Sequence, residues 1–289
     1  MGAQQSYIEH GKLGEGQFGV VYKVTIDGQL YALKKLKKTP DLYQTGIMRE
    51  IRTLQACSDH DNIVKLFDVQ MSHDEVNILM EYCDLGTLND YMIENRPGEE
   101  TICNFMLDMA RGIHYLHDKE IVHRDIKPDN ILLVARFLRD PICKIADLGL
   151  ARFTFPTSRD MATMSSTYYL NTGCGTPLFM APEVYSGHYT KACDIYSLGM
   201  VFYTMHSLQT FNAGTHTLLC PVIPNSSKVF HQASQEQIKR AIATHVSNRQ
   251  KAALLESMLA LKPRVRPGAD AVETTISSYK AKPDSCSLA

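Results

Sequence analysis

"HRDIKPDN", His123 to Asn130, sets two acids, two bases, a histidine, a proline and an amide in eight residues. It is too polar for a core strand. Pro128 excludes a helix interior, because proline lacks the N–H and its ring clashes with the preceding turn. Residues two apart in extended chain point the same way, so Asp125 and Lys127 can face one substrate. Before this stretch, "ICNFMLDMARGIHYLHD" puts Ile102, Phe105, Met106, Met109, Ile113 and Leu116 on one helical face. After it come two short apolar strands, "ILL" and "CKIA", the second running into "DLG". Asp125, Asn130 and Asp147 can therefore meet at adjacent strand ends. Asn130 and Asp147 offer oxygens that suit Mg²⁺, a hard cation often held by few protein ligands plus phosphates. Asp125 is then left to accept a proton from an attacking hydroxyl, and Lys127 to steady a phosphoryl group.

Toward the N-terminus, "YIEHGKL", "GVVYKVTI" and "QLYALKKL" read as strands broken by Gly-rich turns and "DGQ". "GEGQFG" holds Gly14, Gly16 and Gly19 between two of them. A dinucleotide fingerprint should open into a helix. Here a β-branched strand follows, which leaves a hairpin whose backbone can lie over phosphates without Cβ atoms in the way. In "YALK", Lys34 lies between residues facing burial, and a buried ammonium needs an anion. Glu50 and a nucleotide phosphate are its two candidates. Residues 41–56 read as an amphipathic helix carrying Glu50, and "IVKLFDVQ" and "VNILMEY" as further strands. From Leu85 onward helices dominate, including the apolar "ACDIYSLGMVFYTM". Residues 153–172 and 212–235 are polar and aperiodic and are expected to be loops. The expected fold class is α+β and bilobal, with a ligand site between the lobes.

Composition agrees. The 289 residues are 44% hydrophobic with net charge −1, so no broad basic field favours nucleic acid. The 8 cysteines form no C-x-x-C pair, which predicts reduced thiols in an intracellular protein. No apolar run approaches the ~18 residues of a membrane span. "MGAQQS" fits the pattern for myristoylation at Gly2. One acyl chain would give only weak membrane association, and no cysteine or basic run beside it supplies a second signal.

The order Gly-rich loop, strand lysine, helix glutamate, "HRDIKPDN", "DLG" and "APE" resembles that of the eukaryotic protein kinases, over nearly the whole chain. The resemblance implies one kinase domain over residues 1–280. It has a sheet lobe to about residue 80, a hinge at 81–85, a helical lobe at 86–280 and a short tail. It implies ATP and Mg²⁺ in the cleft. Val21, Ala32 and Leu132 would sandwich the adenine, Met80 would be the gatekeeper before the hinge, and Leu13, Glu81 and Cys83 would also bind the nucleotide. Lys34 would hold the α- and β-phosphates and pair with Glu50, Asp125 would be the base, and Asn130 and Asp147 the metal ligands. Leu54, Leu66, His123 and Leu148 would form a stack coupling the lobes. Glu183 of "APE" would pair with Arg266, and Asp194 would anchor the catalytic loop.

Lys127 and "GTPLFMAPE", with Thr176, resemble the serine/threonine pattern, so protein Ser/Thr hydroxyls are the expected acceptors. Arg124 and Arg152 near a hydroxyl-rich segment (Thr163, Ser165, Ser166, Thr167, Thr172) suggest control by phosphorylation, by an upstream kinase or by the chain itself. Thr172 is the preferred site. Asp129 would favour a basic residue before the target hydroxyl. Leu148 stands where the family usually has phenylalanine, Tyr31 replaces a common valine, Lys262 an acid, and Val134–Pro141 is long. None of these removes a catalytic group. The rivals are a pseudokinase scaffold and a dinucleotide oxidoreductase. A faint likeness to kinases that associate with PDZ–LIM proteins leaves the subfamily open.

Overall fold

The computed structural model describes residues 6–16, 19–37, 48–148, 151–153, 178–187, 190–214, 216–224 and 230–280, with only the backbone of Arg49, Glu50, Arg152, Phe153, Ser186, His231 and Lys280. Gly2, Thr163, Ser165, Ser166, Thr167, Thr172 and Thr176 lie outside the described residues.

The first lobe is a five-stranded antiparallel sheet in the order β1-β2-β3-β5-β4. Its strands are β1 (Ile8–Gly16), β2 (Gly19–Ile26), β3 (Gln29–Lys37), β4 (Leu66–Met71) and β5 (Glu75–Glu81). The sheet is two-faced. Val24, Ile26, Leu33 and Leu79 form a small outer cluster, while Leu36, Val76 and Ile78 belong to the main core. Strand side chains alternate, so Ala32 and Lys34 share the inner face with Leu36. Helix α1 (Met48–Cys57) lays Ile51 and Leu54 on the same core. It lies within the expected span 41–56 but for one residue at its end; residues 41–47 are not described.

The second lobe is helical. Its helices are α2 (Leu88–Asn95), α3 (Glu99–Asp118), α4 (Lys191–Ser207), α5 (Gln235–His245), α6 (Arg249–Met258) and α7 (Ala269–Lys280). Helix α3 buries Ile102, Phe105, Met106, Met109, Ile113 and Leu116, the apolar face its period defines. Helix α4 is buried nearly all round, from Cys193 to Met205. Caps fix the ends: Thr87 accepts from the Asp90 N–H before α2, and Ser234 and Gln237 form a reciprocal capping box on α5. Three strand pairs complete the lobe: β6 (Ile121–Val122) with β9 (Arg152–Phe153), β7 (Ile131–Arg136) with β8 (Arg139–Ile145), and β10 (Thr210–Ala213) with β11 (His216–Leu219).

That last hairpin corrects the expectation that 212–235 is all loop. Its alternation is weak, and what fixes it comes from elsewhere. The buried Asn89 amide of α2 donates to the Thr217 carbonyl (2.9 Å) and accepts from the Leu219 N–H (2.7 Å), standing in for a neighbouring strand. The six described cysteines are all free and buried.

Candidate active site

Between the lobes the chain crosses as a short linker after β5. Leu85 N–H donates to the Leu133 carbonyl (3.1 Å) and Leu133 N–H to that of Gly86 (2.9 Å), so β7 is tied to the linker. The register sets Met80 opposite Ala32 and Lys34 between Val21 and Ile78. Gly14 pairs with Val21 and Gly16 with Gly19 at the sheet's edge. Gly19 is required there: a Cβ would lie 2.1 Å from the Lys35 carbonyl oxygen. Leu13 is exposed and Cys83 buried; burial pushes the Cys83 thiol up to about 12, so it is not a reactive nucleophile.

The stretch His123–Asn130 is held from below. Buried Asp194 of α4 accepts from the backbone N–H groups of His123 and Arg124, both at 2.8 Å, and its Oδ2 lies 3.0 Å from His117 Nε2. Burial alone would raise this carboxyl. The His117 hydrogen bond and neighbouring positive groups outweigh it and hold Asp194 below its usual value. The anchored turn places Arg124 at φ 74°, a left-handed conformation unusual for a non-glycine residue. His123 is fully buried, its Nε2 3.0 Å from the Ala146 carbonyl, and Ala146 N–H donates to the Asn130 carbonyl at 2.8 Å. These bonds lock the stretch to the end of β8, where Asp147 stands at φ 56°.

On this frame the polar groups converge. Asn130 Nδ2 donates to the Asp125 carbonyl (2.8 Å) and carboxylate (2.9 Å). Lys127 Nζ lies 2.9 Å from Asp125 Oδ2. Burial alone would lower the Lys127 ammonium; Asp125 above all, with Asp129 and Asp147, holds it above its ordinary value. From the other lobe, Lys34 Nζ reaches to 3.5 Å from Asp147 Oδ1. With its nitrogen turned to Asp125, the Asn130 amide keeps its oxygen as the donor for a cation, and Asp147 supplies a second. No group of three or more His, Cys, Asp or Glu side chains among the described residues could hold a metal. The Asn130 and Asp147 oxygens suit a hard cation that takes its remaining ligands from phosphates. Leu54 and Leu148 lie in the main core, and Leu66 packs against it.

One participant was not singled out from the sequence. Lys144 of β8 is buried, its Nζ 3.0 Å from Glu81 Oε2 and 2.8 Å from the Asp61 carbonyl. It ties the strand that delivers Asp147 to the start of the interlobe linker. The signal was present: like Lys34, it is a lysine inside an apolar strand.

A sheet lobe, a helical lobe and a basic and acidic cleft between them define the class of bilobal phosphotransferases. The chain belongs to the protein kinase domain family, which it matches over residues 7–275. It is 35% identical over 202 residues to the membrane-associated tyrosine- and threonine-specific cdc2-inhibitory kinase of Drosophila melanogaster, covering 68% of this chain and 35% of that protein. It is 39% identical over 196 residues to the serine/threonine-protein kinase cst-1 of Caenorhabditis elegans, covering 66% of this chain and 36% of that protein. The chain thus spans about a third of the length of these relatives.

Proposed function

We propose that this chain is an ATP-dependent serine/threonine protein kinase. The observation that carries the reading is the approach of Lys34, from one lobe, to Asp147, on the other, beside the bonded set Asp125, Lys127 and Asn130. When bound, ATP would supply the γ-phosphoryl group and Mg²⁺ would neutralise phosphate charge. Lys34 binds the α- and β-phosphates. Asn130 and Asp147 hold the metal. Val21, Ala32, Met80 and Leu132 enclose the adenine, with the Glu81–Cys83 backbone beside it. Asp125 orients the acceptor hydroxyl and takes its proton, while Lys127 places a positive charge beside the transferring group. Glu50 on α1 pairs with Lys34 in the active arrangement.

One relative is named as a serine/threonine kinase and the other as tyrosine- and threonine-specific. Lys127, two residues beyond Asp125, favours Ser/Thr acceptors. Asp129, exposed at the cleft's edge, favours a basic residue before them. Phosphorylation of Thr172 would bridge Arg124 and Arg152 and switch the enzyme on. The free, buried cysteines suit a reducing, intracellular setting. No helix among the described residues is long and apolar enough to cross a membrane.

The test is transfer of label from γ-labelled ATP to a basic protein, followed by phosphoamino-acid analysis. Phosphoserine and phosphothreonine are expected, with a loss of roughly 10²-fold or more in Asp125→Asn. Label on tyrosine alone, or label undiminished in that variant, would refute the reading.

A further inference from the structure

Phe137 and Leu138 are 91% and 88% exposed, whereas no other large apolar side chain among the described residues exceeds 65%. They are the two-residue turn between β7 and β8, and the last strand pair below them sets Arg136 opposite Arg139. Three local preferences are broken together. Adjacent large apolar residues project into water. Leu138 adopts φ 54° in a turn where Gly or Asn would be favoured. Two like charges face each other across the strands, an arrangement that weakens a hairpin.

The stalk under this turn is fixed. Ala135 N–H donates to Asp84 Oδ1 (2.8 Å), and Asp140 accepts from Thr101 Oγ1 (3.0 Å) and Asn104 Nδ2 (2.5 Å). Cys143 N–H donates to Asp108 Oδ2 (3.1 Å). The nearby acids are thus engaged along the stalk, and the tip carries only apolar and cationic groups. A rigid stalk presenting an unfavourable tip points to a surface that is covered in use.

We propose that the Phe137–Leu138 turn is a membrane wedge, inserting its two side chains into the interface of an anionic phospholipid bilayer while Arg136 and Arg139 meet lipid phosphates. The tip is convex, with an apolar end and a cation on each flank. That layering matches hydrocarbon below and phosphate above, and an anion between the arginines relieves their repulsion. β7 runs from Ile131, the residue after Asn130, to the tip, so about 17–20 Å separates Asn130 from the lipid surface. Substrates held at a membrane then lie within reach of the cleft. The inference rests on the hairpin's geometry and is independent of phosphoryl transfer.

The chain has no tryptophan, so Phe137→Trp places a single indole at the tip. The unacylated protein is mixed with phosphatidylcholine vesicles and with vesicles also containing phosphatidylserine. A blue shift and quenching by brominated lipid are expected with the anionic vesicles, and a weaker response with the neutral ones. A Phe137→Ser/Leu138→Asn double variant should cosediment at least ten-fold less. Its melting temperature should hold or rise, since Asn tolerates the left-handed turn. An unshifted indole, or equal cosedimentation of the double variant, would overturn the wedge. So would loss of a protein partner with no vesicle binding in either form, which would assign the tip to a protein pocket. ATP-induced stabilisation should be the same in all forms, which keeps this test separate from the kinase reading.

Discussion

Arg266 is held from several sides at one buried position. Its guanidinium binds both Glu183 carboxylate oxygens (2.6 and 2.9 Å), donates to the Ala260 and Ala192 carbonyls (2.8 and 2.9 Å) and lies 4.8 Å from the Tyr196 ring centroid. Removing one member of a buried pair strands the other charge, which costs about 3–5 kcal/mol. Arg266→Met should therefore lower stability by that amount in denaturant unfolding. Adding Glu183→Leu should recover part of it, because no charge is then left alone. The two residues were legible in the sequence only through their resemblance to a kinase pattern. Spacing alone gives no reason to join positions so far apart. Asp194 was legible on physical grounds too, since a carboxylate in an apolar helix needs partners.

At the scale of elements, α3 is decisive because it carries the strands that deliver the site. Gly112 sits mid-helix, where Ala would ordinarily be preferred by about 1 kcal/mol. Yet a Cβ there would lie 2.6 Å from Ile145 Cδ1 and 3.0 Å from the Asn62 carbonyl oxygen. Helix α3 thus packs closely on β8, two residues before Asp147. Gly112→Ala should destabilise by about 1–3 kcal/mol through overpacking, read by thermal unfolding. It should also weaken ATP binding, because the displaced strand carries Asp147; unchanged stability and affinity would contradict this packing. The periodic α3 and the continuously apolar α4 were plain in the sequence. The hairpin Thr210–Leu219 was not, because the Asn89 amide on a distant helix completes its pairing. Nor was Lys144 noticed, although its strand neighbours Cys143 and Ile145 mark it as buried. A lysine's partner lies in tertiary structure, and local pattern cannot name it.

At the scale of the whole molecule, one apolar core runs from Leu36 and Ile78 of the sheet through α1 into the helical lobe. Helix α7 is tied back to α3 by charge as well. His114 of α3 lies 2.7 Å from Glu273 of α7 and 3.4 Å from Asp118. The Glu273 hydrogen bond, partly opposed by burial, holds the imidazole above its ordinary value. This contribution is complete below about pH 6.5 and is lost as pH rises through the raised folded value. Melting temperature should therefore fall as pH rises above about 6.5, and Glu273→Gln should flatten that dependence. The two-lobed plan was readable from the switch of hydrophobic period after Leu85. The direct approach of Lys34 to Asp147 was not, because it depends on where Lys34 points once the sheet has formed.

The most direct measurement is the thermal shift produced by ATP with and without Mg²⁺, in the wild-type chain and in Asp147→Asn. At a hundred-fold excess over Kd the ligand contributes about 2.7 kcal/mol, or roughly 5 °C or more. That stabilisation should require Mg²⁺ and should largely vanish in Asp147→Asn. A shift of equal size in a metal chelator, or one untouched by the substitution, would contradict a metal–nucleotide site shared between the two lobes.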